Sequence, residues 1–170
     1  MKRRLIILTV ILLCVPDRPG QTESPPNAAL GLSGITGIEV LVDELSPDIE
    51  SLGLQTHRIA NAVEDQVRHA GIRIFTRRDR QKDSKGAALF VRVNTQHDRI
   101  GRYFFCLELQ VKRSVNIEGI ETPIEAWVWE TPTRITAVAD DKVKEIGPMI
   151  QKEVQTFLQD YRSVNGKGRS

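Results

Sequence analysis

The chain has 170 residues, 40% of them hydrophobic and 27% charged, with a formal net charge of +2. Most of that basicity is local: residues 1–20 set Lys2, Arg3, Arg4 and Arg18 against Asp17 alone, and the remainder carries 20 basic against 21 acidic side chains. A near-neutral remainder lacks the basic surplus of a general nucleic-acid binder, and its length suits one domain with a core that needs no disulfide or metal staple.

Lys2, Arg3 and Arg4 are followed by residues 5–15, which are apolar except for Thr9 and Cys14. Positive charge followed by a short apolar run is the layout of a secretory signal. As a helix the run would rise about 16 Å at roughly 1.5 Å per residue, half of a hydrocarbon core near 30 Å, which suits export better than a permanent span. Residues 1–20 are therefore expected to be a signal peptide with an open cut site, and the protein to be exported, periplasmic or secreted, in a bacterium. Cys14 closes the run and raises lipid attachment, but the lipoprotein pattern places a small residue before the cysteine, where Leu13 stands here.

Residues 21–34 are rich in Pro, Gly and Ser and read as a disordered linker. A single α/β domain is expected over 35–162, and a flexible tail over 163–170. Within the domain, Ile38, Val40 and Val42 alternate with polar positions and predict a first strand. Ile59, Val63 and Val67 recur at helical spacing and predict a helix over 56–70, ended by Gly71 in a left-handed cap. Residues 72–75 predict a short second strand, and Thr76–Gly86 a charged loop. Leu89, Val91 and Val93 mark a third strand. Tyr103, Phe105, Leu107, Leu109 and Val111 alternate in a fourth, and residues 124–129 continue a fifth. Short connections between the last three favour an antiparallel meander. A final helix is expected from about Asp140 to Tyr161, capped by Asp140 and Asp141, with Pro148 either kinking it or opening its second part. The order β-α-β-β-β-β-α predicts an α+β fold: a mixed, mostly antiparallel five-stranded sheet with two helices packed on one face.

Candidate chemistry is sparse. His57 and His69 lie twelve residues apart on one helix and His97 falls on a turn, so no metal-ligand spacing is formed. Asp43 and Glu44 end the first strand without a readable acid–base partner. The cations Arg77, Arg78, Arg80, Lys82 and Lys85 are interleaved with Asp79 and Asp83, as on a solvated loop. Cys106, within the fourth strand, reads as a buried small hydrophobe. No catalytic residue, metal or cofactor is expected. The feature that points to a partner is Trp127 and Trp129: two residues apart on a strand, they should share a face. With Phe90 and Phe104 on neighbouring strands they would form an apolar patch opposite the helices.

Gly53-Leu54, Ala70-Gly71-Ile72-Arg73-Ile74, Leu89 to Asn94 and Phe157 to Tyr161 give the chain a resemblance to an uncharacterised family of short bacterial exported α/β proteins, over roughly residues 34–164. The resemblance carries no activity and no residue roles. More distantly, the order of elements is similar to the amino-terminal domain of TolB and to CsgG-type periplasmic domains, which implies envelope interaction or assembly. The reading that follows is an exported, non-enzymatic envelope module, with an envelope protein or a second copy as partner and a membrane met only through the signal or a lipid on Cys14. Its alternatives are a lipid-anchored transport accessory and a small-ligand binder or enzyme with a cleft hidden from sequence.

Overall fold

The computed structural model describes residues 28–98 and 100–166. Its strands are β1 (Gly37–Val42), β2 (Arg73–Ile74), β3 (Gly86–His97), β4 (Arg102–Val115), β5 (Ile124–Glu130) and β6 (Arg134–Ala139). The helices are α1 (Pro47–Ser51), α2 (Thr56–His69), α3 (Arg77–Lys82) and α4 (Ile146–Asn165), with 3-10 turns at Ala28–Leu32 and Asp140–Glu145. The sheet order is β2-β1-β3-β4-β5, and β6 lies against the other half of β4. β1 is parallel to β2 and β3, whereas β4 is antiparallel to β3, β5 and β6. The α+β class is as expected, but the described residues form six strands rather than five. β6 escapes a sequence reading because none of its residues is buried, so no apolar face sets its period.

One face of the sheet makes the core. Ile38, Leu89, Val91, Phe105, Leu107, Leu109 and Val111 meet Ile59, Val63 and Val67 of α2 and Ile150, Val154 and Phe157 of α4. Each such side chain contributes about 1.5–3 kcal/mol through burial, set against the chain entropy lost on folding. Two boundaries follow local chemistry. Gly71, at φ +81°, lets α2 end in a Schellman turn, with Ile72 N–H donating to Val67 O (3.2 Å) and Gly71 N–H to Arg68 O (3.0 Å). Pro148 falls in the first turn of α4, where its missing N–H leaves no bond unmade. It therefore marks the second part of the expected helix, whose first part is the 3-10 turn. Neither Asp140 nor Asp141 caps that turn with its side chain.

Both ends of the domain are longer than expected. Residues 28–34, assigned from composition to a disordered linker, form a turn whose Leu32 is fully buried. The turn is held by α4: Asn165 Nδ2 donates to Leu32 O (3.0 Å), Gly34 N–H donates to Asn165 Oδ1 (2.8 Å), and Tyr161 Oη donates to Ile35 O (3.0 Å). Arg113 adds a bond to Ser33 O (2.8 Å). The helix thus continues through 163–165, which composition placed in a flexible tail. The signal segment, Cys14, residues 21–27 and residues 167–170 lie outside the described residues.

The charged segment 76–86 is not a plain loop. Thr76 and Asp79 form a reciprocal capping box that starts α3. From α3, Arg80 turns inward across the sheet face opposite α2 and α4, and its Nε donates to Glu39 Oε2 at 2.6 Å. Among the described residues no helix is long and apolar enough to cross a membrane.

Candidate interaction face

The expected aromatic patch is divided by a single bulge. Val111 pairs with Trp129 and Lys112 with Trp127, with the register shifting between them. Because adjacent β4 residues point to opposite faces, their partners do too, and Val128 is the extra residue. Trp127 and Trp129 therefore do not share a face. Trp129 goes to the core, 3% exposed, with its ring 5.3 Å from Phe157 and its Nε1 donating to Asp160 Oδ2 at 2.8 Å. Trp127 goes to the bare face and is 46% exposed.

Around Trp127 the bare face is organised. Its ring centroid is 5.0 Å from that of Phe90, with the planes at 70°, an edge-to-face contact. The Arg92 guanidinium stands 5.2 Å from the Trp127 centroid and 6.0 Å from that of Phe90, and Lys112 Nζ stands 5.5 Å from Trp127. Such cation–π contacts are worth about 0.5–1 kcal/mol each at exposed sites. Here they fix two long side chains over the ring. Phe104 shares this face but not this cluster. It lies opposite Gln96, whereas Phe90 lies opposite Gln110, and that separation along β4 is about 20 Å at roughly 3.4 Å per residue. Phe104 is instead covered in part by Arg102, 5.6 Å from its centroid. The structure thus unites Phe90 and Trp127, sets Phe104 apart and removes Trp129. Arg92 and Lys112 join the cluster through strand register, which a period-2 reading of single strands does not supply.

The same face carries Cys106, which is half-buried rather than fully buried. Burial, then the nearby Glu108 carboxylate, pushes its thiol pKa up, so the protonated form is favoured and nucleophilic character is suppressed. Further along, Glu39 is 7% exposed and takes its countercharge from Arg80. A lone carboxylate inside an otherwise apolar strand was the sequence signal for that buried pair. Asp43, at the end of β1, is 3.9 Å from Arg92, too far for more than a weak ion pair.

The histidines are dispersed. His57 is exposed on α2, His69 Nδ1 is 2.6 Å from Asp65 O, and His97 sits 3.5 Å from Asp140. Among the described residues no group of three or more His, Cys, Asp or Glu is placed to hold a metal. Between α2 and α4 lies a hollow of about 170 Å³ walled by Leu54, Ile59, Ala62, Val63 and Ile150, with Arg58 and Lys144 also lining it. It brings together no acid–base pair.

No protein-family model and no curated protein matches the sequence. Among solved structures, the chain is similar to a PelC dodecamer from Paraburkholderia phytofirmans, with 14% identity over 75% of this chain and 90% of that one and a TM-score of 0.43. It is also similar to a minor lipoprotein from Acinetobacter baumannii, with 8% identity, coverage of 76% and 94%, and a TM-score of 0.34. A third, described as an uncharacterized protein, gives 15% identity, coverage of 76% and 82%, and a TM-score of 0.34. With TM-scores this low, the likenesses carry neither function nor residue roles over to this chain. Neither a TolB amino-terminal domain nor a CsgG-type domain is among these three.

Proposed function

We propose that this protein is an exported, non-enzymatic interaction module of the bacterial envelope, and that the bare sheet face around Trp127 receives an envelope protein. The observation that carries the reading is Trp127 itself: a large ring left 46% exposed, backed edge-on by Phe90 and flanked by Arg92 and Lys112. Tryptophan and arginine are the side chains most enriched at binding hot spots, where a rigid ring beside a charge gives contact area at small entropic cost. The export half of the reading rests on Lys2-Arg3-Arg4 followed by the apolar residues 5–15.

The test is crosslinking of the full chain in envelope preparations, comparing the natural sequence with Trp127→Ala. A crosslinked protein captured by the first and lost from the second, with the far-UV spectrum unchanged, supports the reading. Equal capture by both removes Trp127 from the interface. Mass spectrometry of the mature amino terminus separates a released protein from one anchored by lipid at Cys14. A terminus that retains residues 1–13 contradicts signal cleavage.

A further inference from the structure

β5 and β6 lie end to end along the same side of β4, but their outer edges differ. β5 is closed. The turn at Ala28–Leu32 approaches it so nearly that a Cβ on Gly31 would sit 2.1 Å from Val128 O, and the strand is further interrupted by its bulge and flanked by Glu125 and Glu130. Bulges and edge charges are the means by which sheets prevent pairing with other chains. β6 has none of these after Arg134. Residues 135–139, Ile-Thr-Ala-Val-Ala, contain no charge, proline or bulge, and their strand partner among the described residues is β4 alone. Ile135 is 72% exposed, and Ala137 and Ala139 are exposed beside it.

We propose that β6 pairs antiparallel with β6 of a second copy of this chain, about a two-fold axis through Ala137, so that two sheets become one. The register follows from faces and charge. Ile135, Ala137 and Ala139 stand on the bare face opposite Cys106, Phe104 and Arg102, and Arg134, Thr136 and Val138 on the core face. Directly opposed residues in an antiparallel pair must share a face. An axis through Ala137 sets Ile135 against Ala139 and Thr136 against Val138, and brings Arg134 beside Asp140 of the other copy, the first residue after its β6. An axis one step earlier, through Thr136, sets Arg134 against Val138 and brings Asp140 to the uncharged Pro132 instead of to a cation. An axis through Val138 keeps only residues 137–139 of each β6 in the ladder and runs Arg134, Ile135 and Thr136 against the 3-10 turn of the other copy. The central register alone joins opposite charges, and it does so at both ends. Arg134 Nε donates to Glu153 Oε1 at 2.7 Å and Asp140 lies 3.5 Å from His97. Their side chains are nonetheless 51% and 48% exposed, so the outer nitrogens of Arg134 and the Asp140 carboxylate can be reached. This self-complementarity selects a second copy over a foreign strand. A contact confined to one short edge is smaller than the roughly 1,600 Å² of a standard stable interface, so the dimer forms and dissociates with concentration. It uses the edge of the sheet rather than the Trp127 cluster, and stands or falls independently of the docking reading.

Sedimentation velocity of the full chain over a wide concentration range should show reversible dimerisation, and Ile135→Lys should raise the midpoint concentration roughly tenfold or more by placing a charge in the paired edge. The register is tested in a Cys14→Ser, Cys106→Ser background. Under mild oxidation Ala137→Cys should give a covalent dimer, whereas Asn116→Cys, on an exposed turn, should give far less. A monomer at every concentration overturns the proposal, as does dimerisation indifferent to Ile135→Lys. Crosslinking of Ala137→Cys no faster than Asn116→Cys overturns it too. Should Ile135→Lys lose its fold, the cysteine comparison decides alone.

Discussion

Trp127 and Trp129 are separated by one residue and experience opposite surroundings. Trp129 is enclosed between the sheet and α4, with an aromatic neighbour and a hydrogen bond to Asp160. Trp127 lies open on the far side, held by Phe90 and two cations rather than by a layer of chain. The cause is local and small: one bulged residue, Val128, converts an i, i+2 pair into an opposed pair. The consequence is a division of labour, with one indole used for folding and the other left available for contact.

The largest effect should come from the closed side. Trp129→Ala removes a buried indole and leaves Asp160 without its donor, so chemical unfolding should show a loss of about 3–5 kcal/mol. Trp129→Phe keeps most of the ring and loses the hydrogen bond, and should cost about 1–2 kcal/mol. If the two variants are equally stable, the ring packing that Phe retains contributes little and the Asp160 bond, lost in both, accounts for the cost. Next comes the strongly buried Arg80–Glu39 ion pair on the open side. Arg80→Ala strands Glu39, which is 7% exposed, at about 3 kcal/mol, the low end for removing one partner of a buried pair. An unfolding curve unchanged by that substitution would show that the Arg80–Glu39 pair contributes nothing to stability.

Gly31→Ala sharpens the comparison from the edge between the two sides. Its Cβ would enter the space of Val128 O, and backbone cannot yield as a side-chain tip can, so a loss of about 1–3 kcal/mol is expected in denaturant titration. Trp127→Ala gives up the Arg92 and Lys112 contacts and the Phe90 edge, all at an exposed site, and should cost about 1–2 kcal/mol, well below Trp129→Ala. Acrylamide should quench Trp127, studied in Trp129→Phe, much more strongly than Trp129 in Trp127→Phe. Equal quenching would mean that the two indoles are not separated by the sheet.

The parts of the fold that were legible in the sequence are those with a buried face. α2, ended by Gly71, and the alternation of β4 follow directly from apolar period and a known cap. β6 was not legible because none of its residues is fully buried, and residues 28–34 were not because their composition resembles a tether while Leu32 fills a core site. α3 was hidden by its charges: a helix held by a capping box and one ion pair needs no apolar stripe. At the candidate site, Phe90 and Trp127 were identified but their association with Arg92 and Lys112 was not. A bulge is one inserted residue, invisible to a period-2 reading, and it decides which indole is exposed.

The smallest expected effect concerns acid, and it falls on the segment around α3. Asp79 is held below the ordinary Asp value of 3.8, first by the Thr76 hydroxyl and then by the Thr76 N–H. Asp83 is lowered likewise, first by the Thr36 hydroxyl and then by the Lys85 N–H. Carboxylates depressed in the folded state contribute stability that is complete above their unfolded pKa and is lost as pH falls through the folded one. Between neutrality and pH 4 this segment should therefore stay in place, and below about pH 3.8 it should loosen. Amide exchange over residues 76–86 should rise in that lower window while the helices α2 and α4 remain protected. Asp79→Asn should make exchange at its own end of the segment less dependent on pH, and Asp83→Asn should do so at the other. Asp79 is exposed and Asp83 half-buried at the surface, so the change should be read in local exchange well before it appears in global unfolding. If α2 and α4 lose protection at the same pH as residues 76–86, the segment is part of the cooperative core and the two sides of the sheet do not differ in this respect.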